Sequence, residues 1–188
     1  MVIVQAVPYT NPAYKDNFGD KLLGDSLQHS ITTVGHSSTL LLWNKLITAA
    51  SKDEERNLRI LDIITESYSS GQKILVLSLR LDQIDVLVAA CSKFAPSHDV
   101  ATHFRELPKR NHGILAAKIV FTTFHGAEME TMPSSDVILV CFPHTNIGTL
   151  MDVNSWMRTS QFIVLKDSNA VLAAQTSKML FMLNTLNS

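Results

Sequence analysis

Two apolar runs constrain this chain more than any other feature. ILVLS (74–78) and VILVCF (137–142) show no alternation of apolar and polar residues, so a strand built from either is buried on both faces. A sheet of such strands needs a layer on each side. The sequence supplies one: Asn57, Ile60, Leu61, Ile64 and Tyr68 recur at helical spacing, and so do Ile84, Leu87, Val88, Cys91 and Phe94. Apolar strands alternating with amphipathic helices predict an α/β fold of three layers, a mostly parallel sheet with helices on both faces. Ligands bind such sheets beyond the carboxyl ends of the strands. That rule puts residues 78–80, 122–128 and 143–148 on one edge.

The remaining elements follow from punctuation. VIVQAV (2–7) reads as a short strand ended by Pro8, and residues 8–36 are rich in Pro, Gly, Asn, Asp and Ser. The chain therefore divides into an N-terminal strand with an irregular loop (1–36) and an α/β domain (37–188). Ser37 and Ser38 are placed to start a helix running to residue 50. Ser51, with Glu54 three residues on, predicts a capping box for the next helix, which Gly71 ends. A weak strand is expected over 99–104 and another over 117–121. A short helix over 149–158, a strand over 162–165 and a last helix over 169–186 complete the reading.

Composition removes several function classes. At 188 residues, 46% hydrophobic and 18% charged, the chain is long and apolar enough to bury a core without disulfide or metal. The net charge of −1 gives no global field for nucleic acid or membrane, so either partner needs a local patch. Cys91 and Cys141 sit in apolar patterns and read as buried structural thiols. Residues 1–9 lack a basic n-region, and no stretch of about 18 apolar residues occurs, so an intracellular protein of cytoplasm or nucleus is expected, with no membrane partner. Histidines are scattered without zinc spacing, and no metal site is expected. His125 and His144 read as ordinary solvated or hydrogen-bonded histidines.

GDKLLGDS (19–26) nearly matches a phosphate-binding P-loop, but Asp25 stands where the lysine belongs and repels phosphate. It reads as a turn. The best positive patch is Arg105, Lys109, Arg110 and His112, with Lys118 close by in sequence. It is either a solvated loop or a contact for backbone phosphates, which demand charge and no base-specific geometry.

The polar insert between the apolar runs gives the sequence its clearest likeness. ILVLSLRLDQIDVLVAAC followed by IVFTTFHGAEMETMPSSDVILVCFP resembles the second RecA-like lobe of superfamily 2 helicases, of the type found in phages and large DNA viruses. In that family a strand ends in a polar residue and Arg, here Ser78 and Arg80, and a later strand ends in a Thr pair, here Thr122 and Thr123. A Glu-Gly-x-Asp-x-Pro turn follows. This chain keeps Glu128, Pro133 and Pro143 but has Met129 for Gly and Thr131 for Asp. Asp53 with Arg56-Asn57 looks like the family's entry helix. NSWMRTSQ (154–161) lies where Gln-x-x-Gly-Arg-x-x-Arg belongs: Arg158 falls on the first arginine, while Asn154, Met157 and Gln161 replace Gln, Gly and the second Arg.

The resemblance implies that this lobe works on DNA or RNA, using Ser78, Arg80, Thr122 and Thr123, with Arg105, Lys109 and Arg110 adding charge. Glu128 and Asn154 would couple it to a neighbouring lobe, and Arg158 would be the catalytic arginine. ATP and Mg would be bound only with an ATP-binding lobe from elsewhere, and no activity is expected of the chain alone. The eroded motifs also suit a degenerate, non-catalytic lobe that binds nucleic acid or protein.

Overall fold

The computed structural model describes residues 3–10, 37–104, 116–124, 134–144 and 157–186. Strand β1 (Ile3–Tyr9) is followed by helices α1 (Ser37–Ser51) and α2 (Glu54–Ser69), strand β2 (Ile74–Ser78) and helix α3 (Leu81–Cys91). A 3₁₀ turn (Ser97–Asp99) leads into β3 (Val100–His103), then β4 (Ile119–Thr123), β5 (Ser135–Val140), β6 (Met157–Asp167) and helix α4 (Ala170–Leu186). The strands form one sheet in the order β1-β6-β5-β2-β4-β3, and every pairing is parallel. All carboxyl ends therefore lie on one edge. The first strand of the chain and the last are neighbours, with Ile3 beside Gln161 and Tyr9 beside Asp167.

Two cores sandwich the sheet, because successive strand residues face opposite sides. Ile74, Val76, Ile119, Phe121, Val137, Leu139, Ile163 and Leu165 join Leu46, Ile47, Ile60, Ile64, Ile84 and Leu87 of α1–α3. Leu75, Leu77, Val120, Ile138, Val140, Phe162 and Val164 pack against Met179 and Leu183 of α4. This is the three-layer α/β architecture, with its sheet wholly parallel among the described pairings. Cys91 and Cys141 are buried and unbridged, and burial pushes both thiols up to about 12.

The structure corrects the sequence reading at two places. Asp53, not Ser51, caps α2: its carboxylate accepts the Arg56 N–H at 3.2 Å. Ser51 instead ends α1 and donates its hydroxyl to the Thr48 carbonyl at 2.9 Å. A carboxylate at the helix start also answers the positive end of the dipole, which a hydroxyl does only weakly. The second correction concerns the helix expected over 149–158. Residues 149–156 lie outside the described residues, while Met157 and Arg158 already belong to β6. Gly71 closes α2 as expected, with φ of 78°. Among the described residues no helix is long and apolar enough to cross a membrane.

Candidate functional site

The carboxyl edge of β2 and β4 is the best-developed polar region. Ser78 and Thr123 are register partners on adjacent parallel strands, each the last residue of its strand. Both side chains rise on the face covered by α1–α3. Thr122, one residue earlier, turns to the opposite face and donates its hydroxyl to the His103 carbonyl at 2.6 Å. It is fully buried and ties β4 to the edge strand β3. The Thr pair thus splits its work: Thr122 secures the sheet, and Thr123, half-buried, ends the strand at the rim.

Ser78 is fully buried as well, and its hydroxyl is the centre of a polar circuit. It donates to Gln83 Oε1 at 2.6 Å and accepts the Arg80 backbone N–H at 3.1 Å. Gln83 Nε2 donates to Asn57 Oδ1 at 2.8 Å, and Asn57 Nδ2 donates to the Ser51 carbonyl at 2.9 Å. Arg80 closes the loop from the other side, its Nη2 donating to the Asn44 carbonyl at 3.0 Å and to Asn44 Oδ1 at 3.3 Å. Asn44 and Ser51 both belong to α1, so the circuit fastens that helix to the end of β2. Buried polar groups survive best when satisfied, and here the hydroxyl and the amides answer one another, while Arg80 Nε is buried without a partner among the described residues.

A second cluster lies along the same edge, beyond β5 and β6. Arg56 is fully buried, with Nε 3.2 Å from Asp167 Oδ1 and Nη2 3.3 Å from Oδ2. Nη2 also donates to the Cys141 carbonyl, and the guanidinium carbon lies 4.3 Å from the Phe142 ring centroid. Burial pushes the Asp167 carboxyl up against the pull of Arg56, and the Asp53 carboxylate adds to the rise. Tyr9 donates its hydroxyl to Asp53 at 2.8 Å, so β1 joins the same cluster. Nearby, the rings of Phe124 and His144 stack with centroids 4.3 Å apart, and the His144 N–H reaches the Met179 sulfur at 3.4 Å.

The predicted site residues divide by position. Ser78, Arg80, Thr122 and Thr123 converge on the carboxyl edge. Arg105, Lys109, Arg110, Glu128 and Asn154 lie outside the described residues, as do His112 and His125. Lys118 does not extend the basic loop toward this edge. It precedes β4 at the amino edge, with Nζ 3.3 Å from Asp99 Oδ2 and 5.4 Å from the Tyr68 ring centroid. Arg158, described by its backbone alone, also enters the sheet at the amino edge, near the Ser135–Met157 pairing. At about 3.3 Å per residue that is roughly 20 Å from the level of Ser78. Gln161, where a second arginine would fall, donates to exposed Gln5 Oε1 of the neighbouring strand at 2.6 Å. That position offers no cation to a phosphate.

Sequence reasoning passed over Asn44, Gln83 and Asp167. Gln83 had a signal: it heads the stripe Gln83, Leu87, Cys91 and is itself buried. Asn57 stands likewise in an apolar stripe. A polar residue inside such a stripe asks for a buried partner. Asn44 and Asp167 carry no such mark, since their partners come from other elements. Among the described residues no group of three or more His, Cys, Asp or Glu converges to hold a metal ion.

Neither a protein-family model nor a curated protein sequence matches the chain. Solved structures do. T4 UvsW superposes with a TM-score of 0.64 at 11% identity, over 98% of this chain and 40% of that one. The Sulfolobus solfataricus SWI2/SNF2 ATPase C-terminal domain gives 0.61 at 13%, over 96% of this chain and 86% of that one. The C-terminal part of the Fun30 ATPase domain gives 0.51 at 8%, over 71% and 55%. The chain thus spans about half or less of the Fun30 and UvsW chains. Likeness at such low identity is likeness of fold, and the fold is the RecA-like α/β unit.

Proposed function

We propose that this chain is the C-terminal lobe of a superfamily 2-type motor of the phage and large-virus kind, acting on DNA or RNA inside the cell. An ATP-binding lobe from elsewhere would supply the nucleotide site with its Mg. The observation that carries the reading is the pairing of Ser78 with Thr123 at the carboxyl edge, with Arg80 next to them. Two strand ends with a hydroxyl at the rim and a guanidinium beside it suit a row of backbone phosphates, which need charge and hydrogen-bond donors only. The likeness of fold to T4 UvsW, which takes in 98% of this chain, supports a C-terminal lobe. Thr123 and Arg80 would touch phosphate, Ser78 and Thr122 would hold the strand ends, and Arg105, Lys109 and Arg110 would add charge. Glu128 and Asn154 would meet the partner lobe.

A second reading is a lobe kept for binding alone, which the entry of Arg158 into β6 at the amino edge would suit. The arginine of the degenerate motif starts β6 at the amino edge, away from Ser78 and Thr123. An arginine that meets a transferring phosphoryl group is worth orders of magnitude in rate. If Arg158 has that duty, Arg158→Ala abolishes ATP hydrolysis by this chain mixed with its ATP-binding lobe; undiminished hydrolysis selects the binding module.

The experiment for the main reading is fluorescence anisotropy with single-stranded DNA and RNA across a salt series. Binding that weakens with salt and falls in Thr123→Val and Arg110→Ala supports a nucleic-acid edge. No binding at low salt removes it.

A further inference from the structure

An arginine offered to a phosphate is useful in proportion to how well its long side chain is held beforehand. Freezing such a side chain on binding costs affinity, about two- to tenfold. Arg80 is held at both ends. Its backbone N–H is fixed by Ser78 Oγ at 3.1 Å, and Ser78 is in turn fixed by Gln83. Its guanidinium is fixed by Asn44, which presents two oxygens to one nitrogen, the carbonyl at 3.0 Å and Oδ1 at 3.3 Å. The Asn44 carbonyl is itself steadied, because it also accepts the Thr48 hydroxyl at 2.7 Å. Asn44 is exposed on α1, so nothing in the core requires an asparagine there. Both bonds go to Nη2, which leaves Nη1 without a bond among the described residues, and Nε is buried without one.

We propose that Asn44 is a positioning residue that sets the Arg80 guanidinium for a backbone phosphate, and that it touches no nucleic acid itself. The proposal rests on the reading of the β2–β4 edge as a nucleic-acid surface. It gives α1 a duty in recognition: the helix supplies the acceptor that orients the cation.

The test is a double-mutant cycle of Asn44→Ala and Arg80→Ala on the full chain, read by anisotropy with single-stranded DNA across a salt series. Alanine is the best helix former, so Asn44→Ala does not unfold α1; thermal melts of each variant check this. Arg80→Ala is expected to weaken binding and to lower the slope of log K against log salt by about 0.7, one phosphate's worth on a single strand. Asn44→Ala is expected to weaken binding about two- to tenfold with the slope unchanged, since the charge remains. In the Arg80→Ala background it is expected to add nothing. Equal effects of Asn44→Ala in both backgrounds, or none in the wild type, overturn the positioning role and leave Arg80 as a phosphate contact. Wild-type affinity and slope in Arg80→Ala remove Arg80 from the surface, and the proposal with it, while Thr123 still tests the edge. Absence of wild-type binding overturns both.

Discussion

Arg56 and Asp167, 111 residues apart in sequence, meet through two nitrogen–oxygen contacts of 3.2 and 3.3 Å with both side chains fully shut off from water. The pair joins the first turn of α2 to the carboxyl end of β6, and the guanidinium also holds the carbonyl of Cys141 where the chain leaves β5. Three elements therefore depend on one charged contact. Asp167→Ala strands a buried cation and is expected to cost about 3–5 kcal/mol, read as a lower urea midpoint at unchanged m-value. Arg56→Met with Asp167→Leu is expected to cost clearly less than Asp167→Ala alone, because no charge is then left unpaired. A double variant as unstable as the single one would mean that the bond to the Cys141 carbonyl matters more than the ion pair.

A pH window follows from Tyr68 and Asp99 at the amino edge, whose hydroxyl and carboxylate lie 2.6 Å apart. The Tyr68 hydrogen bond holds the Asp99 carboxyl below its usual range, opposed by burial and helped by Lys118. The same bond, with burial, raises the Tyr68 hydroxyl above its usual value. Asp99 therefore contributes stability above the unfolded carboxylate value of about 4, lost as pH falls through the depressed folded value. Tyr68 contributes stability below the unfolded phenol value of about 10, lost as pH rises through the raised folded value. Tyr68→Phe is expected to melt lower than wild type between those limits and to converge with it beyond them. A constant gap in Tm at every pH would assign the difference to packing against Phe94, whose ring centroid is 5.9 Å from that of Tyr68.

The Ser78–Gln83–Asn57 circuit predicts an unusual cost for removing an amide. Gln83→Leu keeps the buried volume but leaves the Ser78 hydroxyl and Asn57 Oδ1 without their partner. Each orphaned buried polar group costs about 1–3 kcal/mol. Chemical denaturation of Gln83→Leu should show a loss in that range despite the added apolar surface. A neutral or stabilising result would mean water replaces the amide.

Gly71 tests backbone conformation in isolation. Its φ is 78°, and a Cβ added there meets nothing within 4 Å. The whole cost of Gly71→Ala is then conformational, about 1 kcal/mol, and Gly71→Asn is expected to recover part of it because Asn tolerates the left-handed region. A loss well above 2 kcal/mol in thermal melts would point to a clash instead.

Strand and helix identity were legible in the sequence because burial is written locally. ILVLS and VILVCF are apolar on both faces, and only a sheet covered on both sides accepts that. The stripes of α2 and α3 show which way those helices face, and Gly71 shows where α2 stops. That Ser78 and Thr123 share an edge follows from the same pattern, since parallel strands put their last residues on one edge; that their strands are neighbours was decided by the sheet order.

What only the tertiary structure decided is which groups spend their hydrogen bonds on each other. Ser51 and Asp53 are both capping residues by type; the φ/ψ of the chain at Asp53, and the distance to the Arg56 N–H, choose between them. Lys118 is close by sequence to a basic loop, but it sits at the start of β4, where it meets Asp99 and the Tyr68 ring. Ser78 and Thr122 are candidate nucleic-acid contacts by sequence, and the folded chain bonds their hydroxyls to Gln83 and to the His103 carbonyl. Asp167 and Asn44 have no local signature at all. Apolar burial is set by period along one segment, whereas a polar contact needs two groups within about 3 Å from segments that meet only in the folded chain.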